Sequence, residues 1–165
     1  MIRLLYVLAG IIGFIEWYSV GVYFMAKRCG YKTPSLCFVP FTAFKIQNEL
    51  TGTFTVLTIP VKKYHGMMIS FFAVILFACF YLFWGQEHLL DENAKLSLKS
   101  IMLLIIVVCA LLIEISLLFG VKKAYRKMNV EKEGLYTLLS VIPLSVPLLM
   151  YIASKNTPKT EEEMY

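Results

Sequence analysis

The feature that most limits what this chain can fold into is the run 66–85, 20 residues without one charged side chain. A helix of about 20 apolar residues crosses a hydrocarbon core of roughly 30 Å. Two further runs have the same character. Residues 4–25 are 22 long with one charge, Glu16, and residues 101–121 are 21 long with one charge, Glu114. A fourth run, 137–153, has no charge over 17 residues but carries Pro143 and Pro147. At 1.5 Å per residue it rises about 25 Å, so it reads as either a short span kinked at its prolines or a re-entrant segment, and the span is the reading carried forward.

Composition agrees with these runs. The chain has 165 residues, is 59% hydrophobic and 16% charged, and has a mean hydropathy of +0.71. Soluble domains are about 45–50% apolar and about 25% charged. A disordered chain is excluded, and a soluble enzyme is a poor fit. The expected fold class is all-α integral membrane. It has four transmembrane helices, with an interfacial helix and an extended segment in the long first loop. Residues 1–154 make one domain and residues 155–165 a short polar tail. Residues 4–25 do not read as a cleaved leader. They hold Glu16 in mid-run and end at Lys27 and Arg28, the flank of a segment that stays in the membrane.

Basic residues set the expected orientation. Loop 26–65 carries six, loop 122–136 carries five, and loop 86–100 carries two beside three acids. Lys and Arg concentrate in cytoplasmic loops. Loops 26–65 and 122–136 are therefore expected in the cytoplasm, with both termini outside.

The first of these loops is more than a linker. Pro34 and Pro40 bracket the apolar stretch 35–39, a helix is expected over 41–50 with Gly52 past its end, and residues 51–60 alternate Thr with apolar side chains as a strand does. Here Tyr23-Phe24-Met25-Ala26-Lys27-Arg28-Cys29-Gly30-Tyr31, followed by Phe38-Val39-Pro40-Phe41-Thr42, resembles a pattern in small bacterial multi-pass membrane proteins of unknown function. Some members of that family are fused to signal peptidase domains. The late stretches 124–128 and 142–147 are similar to that family's ending. This chain departs from the pattern in having Thr42 and Ala43 where an Asn is expected. The resemblance implies a multi-pass architecture and no activity.

Glu16 and Glu114 are the candidate functional residues. A charge inside a bilayer costs roughly 3 kcal/mol on insertion scales, which makes such a residue a functional hypothesis. Counted along their spans, the two carboxyls fall about 18 and 20 Å from the same side. Gly13, Ser19 and Tyr23 share a face with Glu16, and small residues there allow another helix to approach closely. Three readings stand. The carboxyls share a proton and serve ion movement; they bind a cation or a basic residue of a partner; or each is a neutral Glu that glues helices together.

The four cysteines are too few for a disulfide scaffold. Cys79 and Cys109 read as small hydrophobes. No metal, hydrolase or nucleotide-binding motif is present, so no cofactor, no metal and no catalytic residue are expected. The basic balance needs no nucleic-acid partner. The expected role is a non-enzymatic accessory or interaction subunit, working with a membrane-protein partner or as a homo-oligomer in the lipid bilayer. The alternative is a small proton, cation or solute transport component using Glu16 and Glu114.

Overall fold

The computed structural model describes residues 2–56, 59–61, 63–84 and 92–159. Among these residues six α-helices run in the order α1 (Ile2–Arg28), α2 (Thr42–Thr51), α3 (Tyr64–Trp84), α4 (Glu92–Lys127), α5 (Glu133–Leu139) and α6 (Val146–Ala153). A two-stranded antiparallel ladder, β1 (Phe54–Val56) and β2 (Ile59–Val61), lies between α2 and α3, with Thr55 opposite Pro60. A ladder of two strands leaves a free edge on each, where a proline without N–H is tolerated. The tail residues 160–165, residues 57 and 58 of the expected extended stretch, residue 85 of the expected span 66–85 and residues 86–91 of the expected loop 86–100 lie outside the described residues.

Among the described residues three helices are long and apolar enough to cross a membrane: Leu5–Arg28, Tyr64–Phe83 and Leu96–Lys127. They correspond to the first three expected spans. α1 and α4 finish at the same end of the molecule, where Cys29 Sγ lies 3.9 Å from Met128 Sδ. Both finish in the same way. Gly30 (φ 71°) and Asn129 (φ 52°) take the left-handed conformation. Tyr31 N–H then bonds back to Ala26 O at 3.0 Å and Val130 N–H to Tyr125 O at 3.1 Å. This double return closes the last helical turn, and glycine and asparagine are the residues that accept it. α3 starts at this same loop end, with Tyr64 beside Gly120.

The fourth expected span is not one helix. α5 stops at Leu139, a 3₁₀ turn occupies Pro143–Ser145, and α6 begins at Val146. Pro143 and Pro147 lack the N–H groups that would carry α5 onward. Ser145 Oγ caps the abandoned carbonyls of Leu139 and Ile142 at 2.7 and 2.8 Å. The prolines therefore make a turn rather than a kink.

α6 runs parallel to α1. Trp17 Nε1 donates to Leu144 O at 3.0 Å, Phe24 packs on Tyr151 with ring centroids 4.7 Å apart, and Arg28 Nε donates to Asn156 O at 3.3 Å. The chain then closes on α4, with Lys159 N–H donating to Lys127 O at 2.8 Å. So residues 133–153 leave the loop end and return to it. The tip at Leu144 reaches the level of Trp17, about 16 Å from Arg28 at 1.5 Å per residue. Ile2 and Lys159 therefore lie at opposite ends of the bundle.

α2 forms where expected and ends at Gly52 (φ 71°). One face of it is buried and another, with Lys45 and Glu49, is exposed. Ala43, Phe44, Ile46, Gln47 and Thr51 are buried, packed among α1, α3 and α4. Its approach is tight. Phe41 takes a φ of 66° at the start of the helix, a strained conformation for a bulky side chain. Thr42 Oγ1 holds that turn by donating to Val39 O at 2.6 Å. The core gathers round α2 and α6, with Tyr18, Val22, Met25, Phe44, Tyr64, Tyr125 and Met150 all within 2% of full burial.

Candidate functional site

Two carboxylate grooves and one buried polar cluster carry the chemistry of the described residues. Glu114 sits half-buried on α4. It lines an apolar groove of about 340 Å³ with Val7, Gly10, Ile11 and Phe14 of α1, Phe72 and Ile75 of α3, and Ala110 and Ile113 of its own helix. Glu16 sits half-buried on α1. It lines a smaller recess of about 150 Å³ with Leu8, Ile11, Ile12, Ile15, Pro40, Phe41 and Leu76. Only Ile11 belongs to both. The two carboxyls therefore line separate grooves. Among the described residues no ion pair joins either to a cation.

The expected small-residue face behaves unevenly. Gly13 is exposed, and nothing lies within 4 Å of where its Cβ would be. Ser19 is fully buried and donates to Ile15 O at 2.8 Å within its own helix. Tyr23 is half-buried, its ring 5.5 Å from those of Phe24 and Phe38. Close approach to α1 occurs at Gly21 instead, where a Cβ would lie 2.8 Å from Pro147 Cα and 2.9 Å from Met150 Sδ.

The buried cluster lies where α2 meets the long helices. Tyr18 OH donates to Gln47 Oε1. The Tyr18 ring stacks on Phe44 at 4.9 Å, and Phe44 meets Tyr64 edge-on at 5.4 Å. Gly120 faces this cluster. A Cβ at 120 would stand 3.2 Å from Gln47 Nε2 and 3.4 Å from Tyr64 OH. Gln47 is 1% exposed, and its Nε2 has no hydrogen-bond partner. An unmade bond of a buried amide costs about 1–3 kcal/mol, which the packing around α2 offsets. Sequence reasoning passed over Tyr18, Gln47, Tyr64, Gly21 and Gly120. The available signal was Gln47, an amide among apolar residues of α2, and the glycines inside long helices.

Outside the long helices the electrostatics are local. Burial pushes the Cys37 thiol up to about 12, so it stays protonated and unreactive at neutral pH. Tyr31 OH donates to Glu49 Oε2 at 2.6 Å, which raises the phenol above its ordinary value. Arg126 holds Glu133 at 2.9 and 3.2 Å and keeps that carboxyl below its ordinary value. Among the described residues no group of three or more His, Cys, Asp and Glu side chains is placed to hold a metal ion. Compared with family models, with curated proteins and with solved structures, the chain matches none.

Proposed function

We propose that the chain is a non-enzymatic, multi-pass membrane protein that acts as an interaction subunit. Its Glu114 groove receives a helix of a membrane-protein partner or of a second copy. The observation that carries this reading is a half-buried carboxylate in an open apolar groove, unpaired with any cation among the described residues. Such a group costs roughly 3 kcal/mol in hydrocarbon, and a Lys, Arg or hydroxyl on an incoming helix recovers that cost. Gly10 supports the fit, since nothing lies within 4 Å of its Cβ position and a second backbone can come close. The loop-motif likeness to small bacterial multi-pass proteins agrees with it. The three long helices span the bilayer, and residues 133–153 form a re-entrant hairpin. The Lys/Arg-rich loop end faces the cytoplasm by the positive-inside bias, which now also gains Lys155 and Lys159.

The test is recovery of crosslinked partners from intact membranes. Glu114→Gln is expected to reduce recovery several-fold, with Glu16→Gln having less effect and any ion flux unchanged. Unchanged recovery for Glu114→Gln sinks the reading. Loss of pH-dependent flux with recovery intact assigns the chain to transport instead.

A further inference from the structure

A third groove lies between α1 and α6. Trp17, Val20, Phe24 and Arg28 fall at steps of three and four along α1 and so share one stripe. Trp17, Val20 and Phe24 meet Pro147, Leu148 and Tyr151 of α6 around a groove of about 310 Å³. Its walls are apolar or aromatic, and no carboxylate lines it. It opens outward, since Leu148 is 59% exposed and Trp17 44%.

Two cations stand at its loop end. Lys155 Nζ lies 5.1 Å from the centre of the Tyr151 ring. Arg28 Nε donates to Asn156 O at 3.3 Å, next along the chain from Lys155. A guanidinium has five N–H donors, so one bond to a carbonyl holds the group in place and leaves its fork able to grip an oxyanion. Both side chains are exposed. An apolar slot of this size with a cationic foot fits an amphiphile with one long chain laid along the helices and an anion at the loop end.

We propose that the α1–α6 groove binds an anionic phospholipid, its acyl chain against Trp17, Phe24 and Leu148 and its headgroup between Arg28 and Lys155. Charge complementarity selects the occupant. A zwitterionic headgroup brings its own cation toward Arg28 and Lys155, and an anionic one does not. The inference rests on the helices lying in a bilayer and is independent of what fills the Glu114 groove.

Trp17 supplies the probe. The full chain, with Trp84→Phe to leave one tryptophan, is reconstituted in vesicles of zwitterionic lipid. Dibrominated phosphatidylglycerol or dibrominated phosphatidylcholine is then titrated in, and Trp17 fluorescence is followed. The anionic lipid is expected to half-quench Trp17 at a mole fraction about ten-fold lower than the zwitterionic one, as two surface cations imply. The difference is expected to vanish in Arg28→Gln/Lys155→Gln. Equal quenching by the two lipids overturns the proposal without recourse to any charge variant. A difference that survives the double substitution also overturns the assigned headgroup site. Weak quenching by both lipids, with disulfide crosslinks between copies of a Leu148→Cys variant, gives the groove to a second copy and overturns it too.

Discussion

The two ends of the helical bundle are built from the same apolar residues and finish with opposite surfaces. At the loop end, Val22, Ala26, Ala43, Phe44, Val121 and Tyr125 are at 0–1% exposure. Toward the other end, Phe77, Leu104 and Leu111 stand 67%, 63% and 57% exposed. The helices themselves do not differ enough to explain this. Three helices side by side cannot enclose each other's flanks. The loop end becomes a core because two short helices, α2 and α6, are folded back into it. Among the described residues the open end has α1, α3 and α4 alone, so its apolar side chains face outward and suit a lipid solvent. The candidate carboxylate groove of Glu114 belongs to the open half, and the buried Tyr18–Gln47 pair belongs to the packed half.

The comparison breaks most completely if residues 133–153 cross the membrane. In a background without the native cysteines, Thr157→Cys and Lys132→Cys are expected to react with a membrane-impermeant thiol reagent from one side, and Lys99→Cys from the other. Labelling of Thr157→Cys together with Lys99→Cys would remove the hairpin, and with it the reason the loop end is packed.

A smaller effect separates the two ends by packing. Gly21→Ala places a methyl 2.8 Å from Pro147 Cα, a backbone atom that cannot swing aside. Overpacking of this kind costs about 1–3 kcal/mol. Gly13→Ala meets nothing within 4 Å and should be neutral or stabilise by up to about 1 kcal/mol through helix propensity. Unfolding in mixed micelles with rising SDS measures both, and equal effects would erase the distinction between packed and open halves.

Tyr18→Phe tests whether the polar cluster holds α2 in place. Loss of the bond to Gln47 is expected to cost about 1 kcal/mol by the same measurement, the usual size of such bonds in membrane proteins. No change would mean that packing alone seats the helix.

The smallest effect is electrostatic and lies at the edge of the packed end. Glu133 has a folded pKa below its ordinary value because Arg126 stabilises the carboxylate. The pair's contribution is therefore complete above the ordinary value of 4.5 and is lost as pH falls through the depressed one. Both side chains are partly exposed, so Glu133→Gln should remove no more than about 0.5 kcal/mol at pH 7, and its effect should fade in acid. An effect that grows in acid would mean that the pair does not hold the turn between α4 and α5.

Much of the architecture was legible in local pattern. A run such as 66–85 can do little in water, and Lys27-Arg28 and Lys122-Lys123 mark where the helices leave apolar surroundings. α2 was legible as a helix because Pro40 stands before it and Gly52 after it. That α2 would be buried was not legible, because its four polar or charged residues from Lys45 to Glu49 read as a solvated face; only the packing shows that Gln47 turns inward while Lys45 and Glu49 turn out. The path of the fourth run was not legible for a related reason. Its apolar length suits a crossing or a re-entrant segment, and two prolines fit a bend within one helix as well as a turn. Two missing N–H groups, at Pro143 and Pro147 two residues either side of Ser145, reverse the chain.

The candidate site divides in the same way. Glu16 and Glu114 stood out because a charge in an apolar run is conspicuous in any context. Their separation did not, because equal distance along two helices says nothing about rotation or offset between them. Gly21 and Gly120 were silent for the reason that makes them important: a glycine's value lies in what the facing helix needs, Pro147 in one case and Gln47 with Tyr64 in the other.

By itself the sequence determined three helices long and apolar enough to cross a membrane and the end at which the basic residues gather, because hydrophobic length and charge act locally. Only the tertiary structure decided that the last apolar run turns back, that Ile2 and Lys159 lie at opposite ends, and that the two carboxyls face different grooves. Those outcomes depend on which helix packs against which, and two short elements that the hydropathy pattern could not rank decided the packing.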